Sequence, residues 1–312
     1  ISGGADGHTM IRVTFLGTSA SRPTVGRNVS AIALQREGTL LLFDCGEGTQ
    51  RQMMRFGTGF ALNHLFISHL HADHYLGITG LLRTLSLQGR TDPLHLFGPE
   101  GSSSTLEAAI ALGGNRMSYE VDIQELRAGE SVDWADFRVE ALSVRHGLPA
   151  LGYALREHPR AGRFDVDRAL SLGIPEGPLY GRLQAGEIVT LPDGREIRPE
   201  QVLGPARRGR KMVYATDTRP CDQVAELAYK ADVLIHDGMF DDDIRDQARQ
   251  KHHSTVVQAA RIAKRAKVNK LILTHLSSRY HQAGPLLEQA RRVFPSTRIA
   301  RDLMEIKVPM YK

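Results

Sequence analysis

His64-Leu65-Phe66-Ile67-Ser68-His69-Leu70-His71-Ala72-Asp73-His74 runs from an apolar stretch straight into three imidazoles and a carboxylate within six positions. At the mouth of a strand such a cluster is costly unless something binds it. The groups titrate against one another and leave polar atoms unpaired at the edge of a core. A cation removes that cost, and imidazole plus carboxylate is the donor mix that suits zinc, with manganese or iron also compatible. The spacing fits one helix face poorly. A tight loop instead directs His69 and His71 one way and Asp73 and His74 another, as two adjacent cations require. The sequence predicts a metal centre here.

Further ligands stand at the ends of other strand-like runs. Residues 137–144 lead into Arg145-His146-Gly147, residues 212–216 end at Asp217, and residues 271–274 end at His275. Short runs rich in Val, Ile, Leu and Tyr, bounded by polar residues or Gly, are strand signals. Each delivers its ligand at the C-terminal end, where α/β sheets place their sites. A lone His or Asp after a strand is ordinarily a cap or turn residue. Four strand ends that each carry a ligand form a constellation.

Other segments complete a pattern. Near the start stand Phe15-Leu16-Gly17-Thr18, Arg27-Asn28-Val29-Ser30 and Leu42-Phe43-Asp44-Cys45-Gly46-Glu47-Gly48-Thr49-Gln50. The middle carries Gly173-Ile174-Pro175-Glu176-Gly177-Pro178-Leu179-Tyr180-Gly181, and the end His253-Ser254-Thr255 and Leu273-Thr274-His275-Leu276-Ser277-Ser278-Arg279-Tyr280. With these, the chain resembles the metallo-β-lactamase superfamily and, within it, the tRNA 3′-processing endonucleases of the ribonuclease Z family. The histidine motif marks the superfamily; the Gly-Pro and His-Ser-Thr segments narrow it to the tRNA nucleases. Two positions depart from the family pattern. Ala72 stands where Gly is usual, and His236-Asp237-Gly238-Met239 replaces His-Glu-Ala-Thr, so Asp237 is one methylene shorter than the family Glu.

The resemblance implies an α/β fold, the αββα metallo-β-lactamase sandwich with a protruding Gly/Pro-rich arm. It implies two Zn2+ per subunit, with Mn2+ as an alternative, about 3.5–4 Å apart around a shared water. Carried over residue by residue, His69, His71 and His146 hold the first ion, Asp73, His74 and His275 the second, and Asp217 bridges. Asp73 also orients the attacking water, and His253 donates a proton to the leaving ribose oxygen, its ring held by Asp237. Arg27, Asn28, Gly177, Pro178, Gly181 and Arg279 are the expected substrate-binding residues. The implied activity is endoribonucleolytic removal of the 3′ trailer of precursor tRNA, leaving a 3′-hydroxyl, by a cytoplasmic homodimer. The alternative is a metal-dependent phosphodiesterase for small or cyclic phosphodiesters, which would share the metal centre and have no use for an arm.

Composition bounds this reading. No run approaches the roughly 18 apolar residues of a membrane helix. Cys45 and Cys221 are the only cysteines, which suits a reducing cytoplasm and argues against thiolate zinc. The formal charge of +5 is a mild bias compatible with a polyanion. Residues 1–9, including His8, are Gly-rich and polar and read as a cloning remnant.

Residues 10–159 and 212–312 read as the two halves of one metallo-β-lactamase domain. Strands are expected at 11–16, 30–35, 40–43, 93–97 and 233–235, and helices at 50–56, 77–88, 105–112, 221–229 and 256–266. Thr255 and Gln258 have the spacing of a capping box. Residues 160–211 differ in kind: 13 of these 52 residues are Gly or Pro, against 44 of 312 in the chain. That content excludes a continuous helix or sheet. With 10 Lys or Arg against 7 Asp or Glu, this flexible arm reads as the tRNA-binding exosite, ending in Arg207-Arg208-Gly209-Arg210-Lys211.

Overall fold

Inward-facing aromatic residues build the centre of the molecule. In the computed structural model, which describes residues 10–112, 114 and 116–310, Phe15, Phe43, Phe66 and Phe97 of one sheet meet Phe137, Tyr153 and Tyr214 of another. Phe43, Phe66 and Phe97 stack in a row, with ring centroids 5.3 and 4.7 Å apart. The first nine residues, read as a cloning remnant, lie outside the described residues.

The first sheet has seven strands in the spatial order Glu305–Val308, Ile11–Gly17, Ala31–Arg36, Thr39–Phe43, Leu62–Phe66, Leu94–Pro99 and Val121–Leu126. The second runs Thr297–Ile299, Leu271–Thr274, Val233–Asp237, Lys211–Ala215, Leu151–Glu157, Phe137–Ser143 and Ser131–Asp133. Helices Thr49–Phe56, Ile78–Leu87 and Ser103–Ala111 cover the outer face of the first sheet through Met53, Leu81, Leu85 and Leu106. Helices Asp222–Leu227, Val256–Arg265 and Gly284–Val293 cover the second through Val224, Ala260, Ile262 and Leu286. The result is the αββα sandwich, with each apolar face buried against a neighbouring layer. The expected capping box is present at Thr255: its hydroxyl accepts from Gln258 N at 3.2 Å while Gln258 Oε1 accepts from Thr255 N at 3.0 Å, a cap of about 1 kcal/mol.

The two sheets do not divide where the insertion falls. Phe137–Ser143 and Leu151–Glu157 precede the insertion and belong to the second sheet, while Glu305–Val308 returns to pair with the first strand. Leu151–Glu157 has no alternating pattern because it lies between two strands and is buried on both faces.

Residues 160–207 form a small unit of their own, while Lys211, expected within the arm, opens a strand of the second sheet. Two isolated bridges, Arg160 with Arg207 and Phe164 with Leu203, zip up its stem. At the stem the two chains pass so closely that a Cβ on Gly162 would lie 1.8 Å from Gly204 O. Beyond it come helices Val166–Ser171 and Pro178–Gln184 and the hairpin Val189–Thr190/Glu196–Ile197. Ala169, Ile174, Leu183, Val189, Leu191, Ile197 and Val202 make a separate buried cluster. Not all of the basic run 207–211 faces outward. Arg210 is fully buried, its guanidinium on Glu157 at 2.6 and 2.8 Å, and Arg208 reaches Asp232 at 2.9 Å.

Candidate metal centre

Parallel strands bring the predicted residues to one edge of the sandwich. Leu62–Phe66 feeds a loop holding His69 and His71 and then the short helix Ala72–Tyr75, which carries Asp73 and His74 where the sequence predicts a loop for all four. Lys211–Ala215 delivers Asp217, and Leu271–Thr274 delivers His275. His146 follows the antiparallel strand Phe137–Ser143. Ala72, where Gly is usual in the resembled family, opens the short helix Ala72–Tyr75 and is exposed, so its methyl is accommodated.

The side chains form two four-donor clusters that share one carboxylate. In the first, His71 Nδ1 lies 3.0 Å from His69 Nε2 and 3.2 Å from His146 Nε2, with Asp217 Oδ2 3.5 Å from His69 Nε2 and 4.0 Å from His146 Nε2. In the second, Asp73 Oδ2 is 3.5 Å from His74 Nε2 and 3.3 Å from His275 Nε2, and Asp217 Oδ1 is 3.4 and 3.3 Å from the same two nitrogens. Donors held about 2.0–2.1 Å from one tetrahedral ion are separated by about 3.3 Å. The observed spacings fit that separation.

The tautomers point the same way. Asp44 Oδ2 accepts from His74 Nδ1 at 2.8 Å, from Tyr214 OH at 2.7 Å and from Ser68 Oγ at 2.9 Å, while Oδ1 accepts from Ser68 N at 2.7 Å. With its proton given to Asp44, Ser68 Oγ accepts from His69 Nδ1 at 2.9 Å. His146 Nδ1 donates to His252 O at 3.2 Å, since a carbonyl can only accept. The Nε2 lone pairs of His69, His74 and His146 therefore all face the clusters, and His74 Nε2 is buried without a hydrogen-bond partner. An orphaned buried nitrogen is expensive unless a cation takes it. Burial, reinforced by His74, holds His69 well below the usual imidazole range. Asp217 and Asp44 instead overcome burial and hold His74 well above it, so a cation in the second cluster would stand in for the second His74 proton. Burial works against ionised Asp217, but His275 and His74 overcome it and hold the carboxyl well below its usual range.

Comparison with known proteins agrees. A family model described as the β-lactamase superfamily domain matches residues 188–276, and one described as the anti-Pycsar protein Apyc1 matches residues 11–157. A ribonuclease Z of Gemmatimonas aurantiaca is 54% identical over 301 residues, 96% of each chain. One from Myxococcus xanthus is 49% identical over 305 residues, 97% of this chain and 99% of its own. The chain belongs to the ribonuclease Z family. The crystal structure of the short form of human tRNase Z is 28% identical with a TM-score of 0.70, covering 96% of this chain and 100% of that one. The metallo-β-lactamase fold protein YhfI of Bacillus subtilis, 18% identical with a TM-score of 0.70 over 96% of this chain and 100% of its own, shares the fold. The chain therefore has the metallo-β-lactamase fold and is a metal-dependent endoribonuclease.

His253 stands beside the clusters, its ring stacked on His275 and edge-on to His146, each at 5.3 Å. Its Nδ1 donates to Asp237 Oδ2 at 2.8 Å, so the shorter Asp does reach where the family Glu is usual. Asp237 is fixed in turn, accepting from Met239 N at 2.9 Å and Thr218 N at 3.2 Å. Burial disfavours the charged ring, but Asp237 outweighs it and pushes His253 up to about 9.

The expected substrate-binding residues are scattered. Arg27 is half-buried and donates to Thr18 Oγ1 at 2.6 Å and Ala300 O at 2.8 Å, so its guanidinium ties the fold together. Asn28 N donates to Asp302 Oδ2 at 2.6 Å and its side chain to Glu47 O at 2.9 Å. Both line a cavity of about 370 Å³ that also takes in Arg51 and Arg55. Arg279 is exposed, stacks over Phe240 and donates to Gln247 Oε1 at 3.2 Å. Gly177, Pro178 and Gly181 lie in the arm around the helix Pro178–Gln184, where Gly177 has φ 143°, a conformation side-chain-bearing residues rarely adopt. Sequence reasoning gave no role to Asp44, Ser68 or Tyr214. The signal for Asp44 was its place at the end of the run 40–43, matching the other ligand-bearing strand ends.

Proposed function

We propose that the protein binds two zinc ions as it cuts precursor tRNA on its 3′ side, and that it works as a homodimer whose arm presents tRNA to the partner's site. The observation that carries the two-ion reading is Asp217, whose two oxygens each complete one four-donor cluster. His69, His71, His146 and Asp217 would hold one ion, and Asp73, His74, His275 and Asp217 the other.

Divalent ions in these donor sets would lower the pKa of an attacking water from about 15.7 toward 7 and offset charge on the phosphoryl oxygens. The chain's own groups do the rest. Asp73 stays ionised, because the imidazoles of His275 and His74 overcome the cost of burying it, and it orients the water for in-line attack at phosphorus. His253 commits Nδ1 to Asp237 and remains protonated at neutral pH. It gives its other ring proton to the ribose 3′-oxygen as the P–O3′ bond breaks. The products are a tRNA ending in a 3′-hydroxyl and a trailer beginning with a 5′-phosphate. The arm, net positive and free of cluster ligands, grips the tRNA backbone away from the cut.

Purified protein incubated with a 3′-extended precursor tRNA, with both product ends and zinc content measured, tests this. A 3′-phosphate on the tRNA, or one ion per chain, overturns it.

A further inference from the structure

Among the described residues nine non-glycine positions have positive φ, and five of them crowd the metal centre: Ser21 at 61°, Asp44 at 58°, Asp217 at 44°, His252 at 60° and His275 at 58°. Such left-handed conformations are sparsely populated by residues with a Cβ and persist only where the surroundings over-determine them. For Asp217 and His275 the twist aims a ligand, and for Asp44 the carboxylate that orients His74. Ser21 and His252 belong to neither cluster. What each presents to the centre is a peptide group.

The Ser21 N–H donates to Asp73 Oδ2 at 2.7 Å, the same oxygen that faces His74 and His275. The His252 carbonyl accepts from His146 Nδ1 at 3.2 Å, which keeps that proton on Nδ1 and the lone pair on Nε2, toward His71 and Asp217. One contact falls in each cluster. We propose that Ser21 and His252 are positioning residues, each using a left-handed backbone to set one ligand of one cation site. The proposal rests on the reading of the two clusters as separate ion sites. Returning φ to negative values would rotate one adjoining peptide plane against the other and take the contact out of line. Asp73 would then be free to turn about its χ2, and His146 free to change tautomer. The Ser21 side chain is exposed; the His252 ring lies against Gly147 and edge-on to His146, with centroids 6.3 Å apart, and supplies no donor atom to either cluster.

Glycine adopts this conformation without strain, whereas a β-branched side chain resists it. Four full-length variants, Ser21→Gly, Ser21→Val, His252→Gly and His252→Val, separate the backbone from the side chain. Each is stripped of metal and titrated with zinc against a chromophoric chelator, then with Co2+ as a visible-absorption probe. The parent and both glycine variants should take two ions per chain. Each valine variant should keep one ion and bind the other about 10- to 100-fold more weakly, the range for loss of a group that orients a ligand. The residual cobalt spectra should differ. Ser21→Val retains the site of three imidazoles and one carboxylate, and His252→Val the site of two imidazoles and two carboxylates. A two-ion parent whose valine variants bind like their glycine counterparts, lose both ions, or leave the same residual spectrum overturns the proposal alone. A parent that binds fewer than two ions overturns the two-site reading and the proposal with it.

Discussion

Asp44 and His74 are joined by a fully buried 2.8 Å contact in which the carboxylate also accepts from Tyr214 and twice from Ser68. One side chain thus ties the strand ends at 43, 66 and 215 to each other and fixes the tautomer of a candidate ligand. Asp44→Asn keeps the size and tolerates the left-handed backbone. It would, however, set an amide donor against hydroxyl or imidazole donors. Zinc affinity should fall about 10- to 100-fold with the fold intact, measured by chelator competition beside far-UV circular dichroism. Unchanged affinity would remove Asp44 from the ligand-orienting role.

Variants at Asp217 and Asp73 test the proposed shared ligand against a proposed unshared one. Asp217→Ala should lose both zinc ions and cleavage together, since each oxygen completes one cluster. Asp73→Ala should abolish cleavage yet retain part of the metal, because three imidazoles and Asp217 still define the first cluster. Elemental analysis with a cleavage assay decides it, and full activity in either variant contradicts the two-ion assignment.

Proton delivery by His253 has a kinetic and a pH signature. His253→Ala should slow precursor cleavage by about 10²–10⁴-fold with little change in binding. A nitrophenyl phosphodiester, whose leaving group needs no proton, should suffer much less. A donor must be protonated to act, so the rate should fall as pH rises through the folded value of about 9. Asp237→Asn removes the charge that raises the ring and should move that descending limb to lower pH. An alkaline limb that stays in place in Asp237→Asn would contradict the pairing.

Glu157 anchors the root of the arm. It accepts from Arg36 Nε at 2.7 Å and from Arg210 Nη2 at 2.6 Å, with all three side chains largely or wholly buried. Burial raises the carboxyl, but hydrogen bonds from Arg210 and then Arg36 prevail and push it down to about 2. A depressed folded value means stability that is present above the unfolded value of about 4.3 and is lost as pH falls toward 2. Glu157→Gln removes the carboxylate charge that faces the buried guanidiniums of Arg210 and Arg36, a change of about 3–5 kcal/mol. Thermal melts at pH 7 and pH 3 should show a large gap between parent and variant at the first and a smaller one at the second. Equal gaps would dismiss the ion network as a source of stability.

How far the sequence could be read follows from which interactions are local. The cluster at 69–74 and the single candidate ligands at 146, 217 and 275 each stand beside a strand recognisable from its own residues. The helix at 256–265 announces itself through Thr255 and Gln258. By contrast, Leu151–Glu157 is buried on both faces and has no period to detect. Ser21 and His252 act through peptide groups, which no side-chain pattern records. Arg210 reads as one more charge in a basic run until the fold sets Glu157 against it. Arg27 reads as an RNA contact, and only the fold adds that its guanidinium, at the cavity it lines, donates to Thr18 and to the carbonyl of Ala300.

An excision within residues 160–211 tests tRNA processing against small-phosphodiester hydrolysis. Because Arg208, Arg210 and Lys211 N bind Asp232 or Glu157 of the main body, the excision must spare them. Replacing residues 163–204 with a short linker keeps the Arg160–Arg207 bridge and cuts only the unit beyond the stem. No cluster ligand lies in that stretch, so zinc content and hydrolysis of a small phosphodiester should survive within several-fold. Precursor tRNA cleavage should collapse through weaker binding, since phosphate contacts dominate affinity for nucleic acid. The intact protein's tRNA affinity should fall steeply with salt, and the slope should flatten in the deletion by roughly one per phosphate contact removed. Paired kinetics on both substrates at two salt concentrations measure all of this. A deletion that processes precursor tRNA as well as the parent would show that the arm is no exosite, and the small-substrate reading would then account better for the same metal centre.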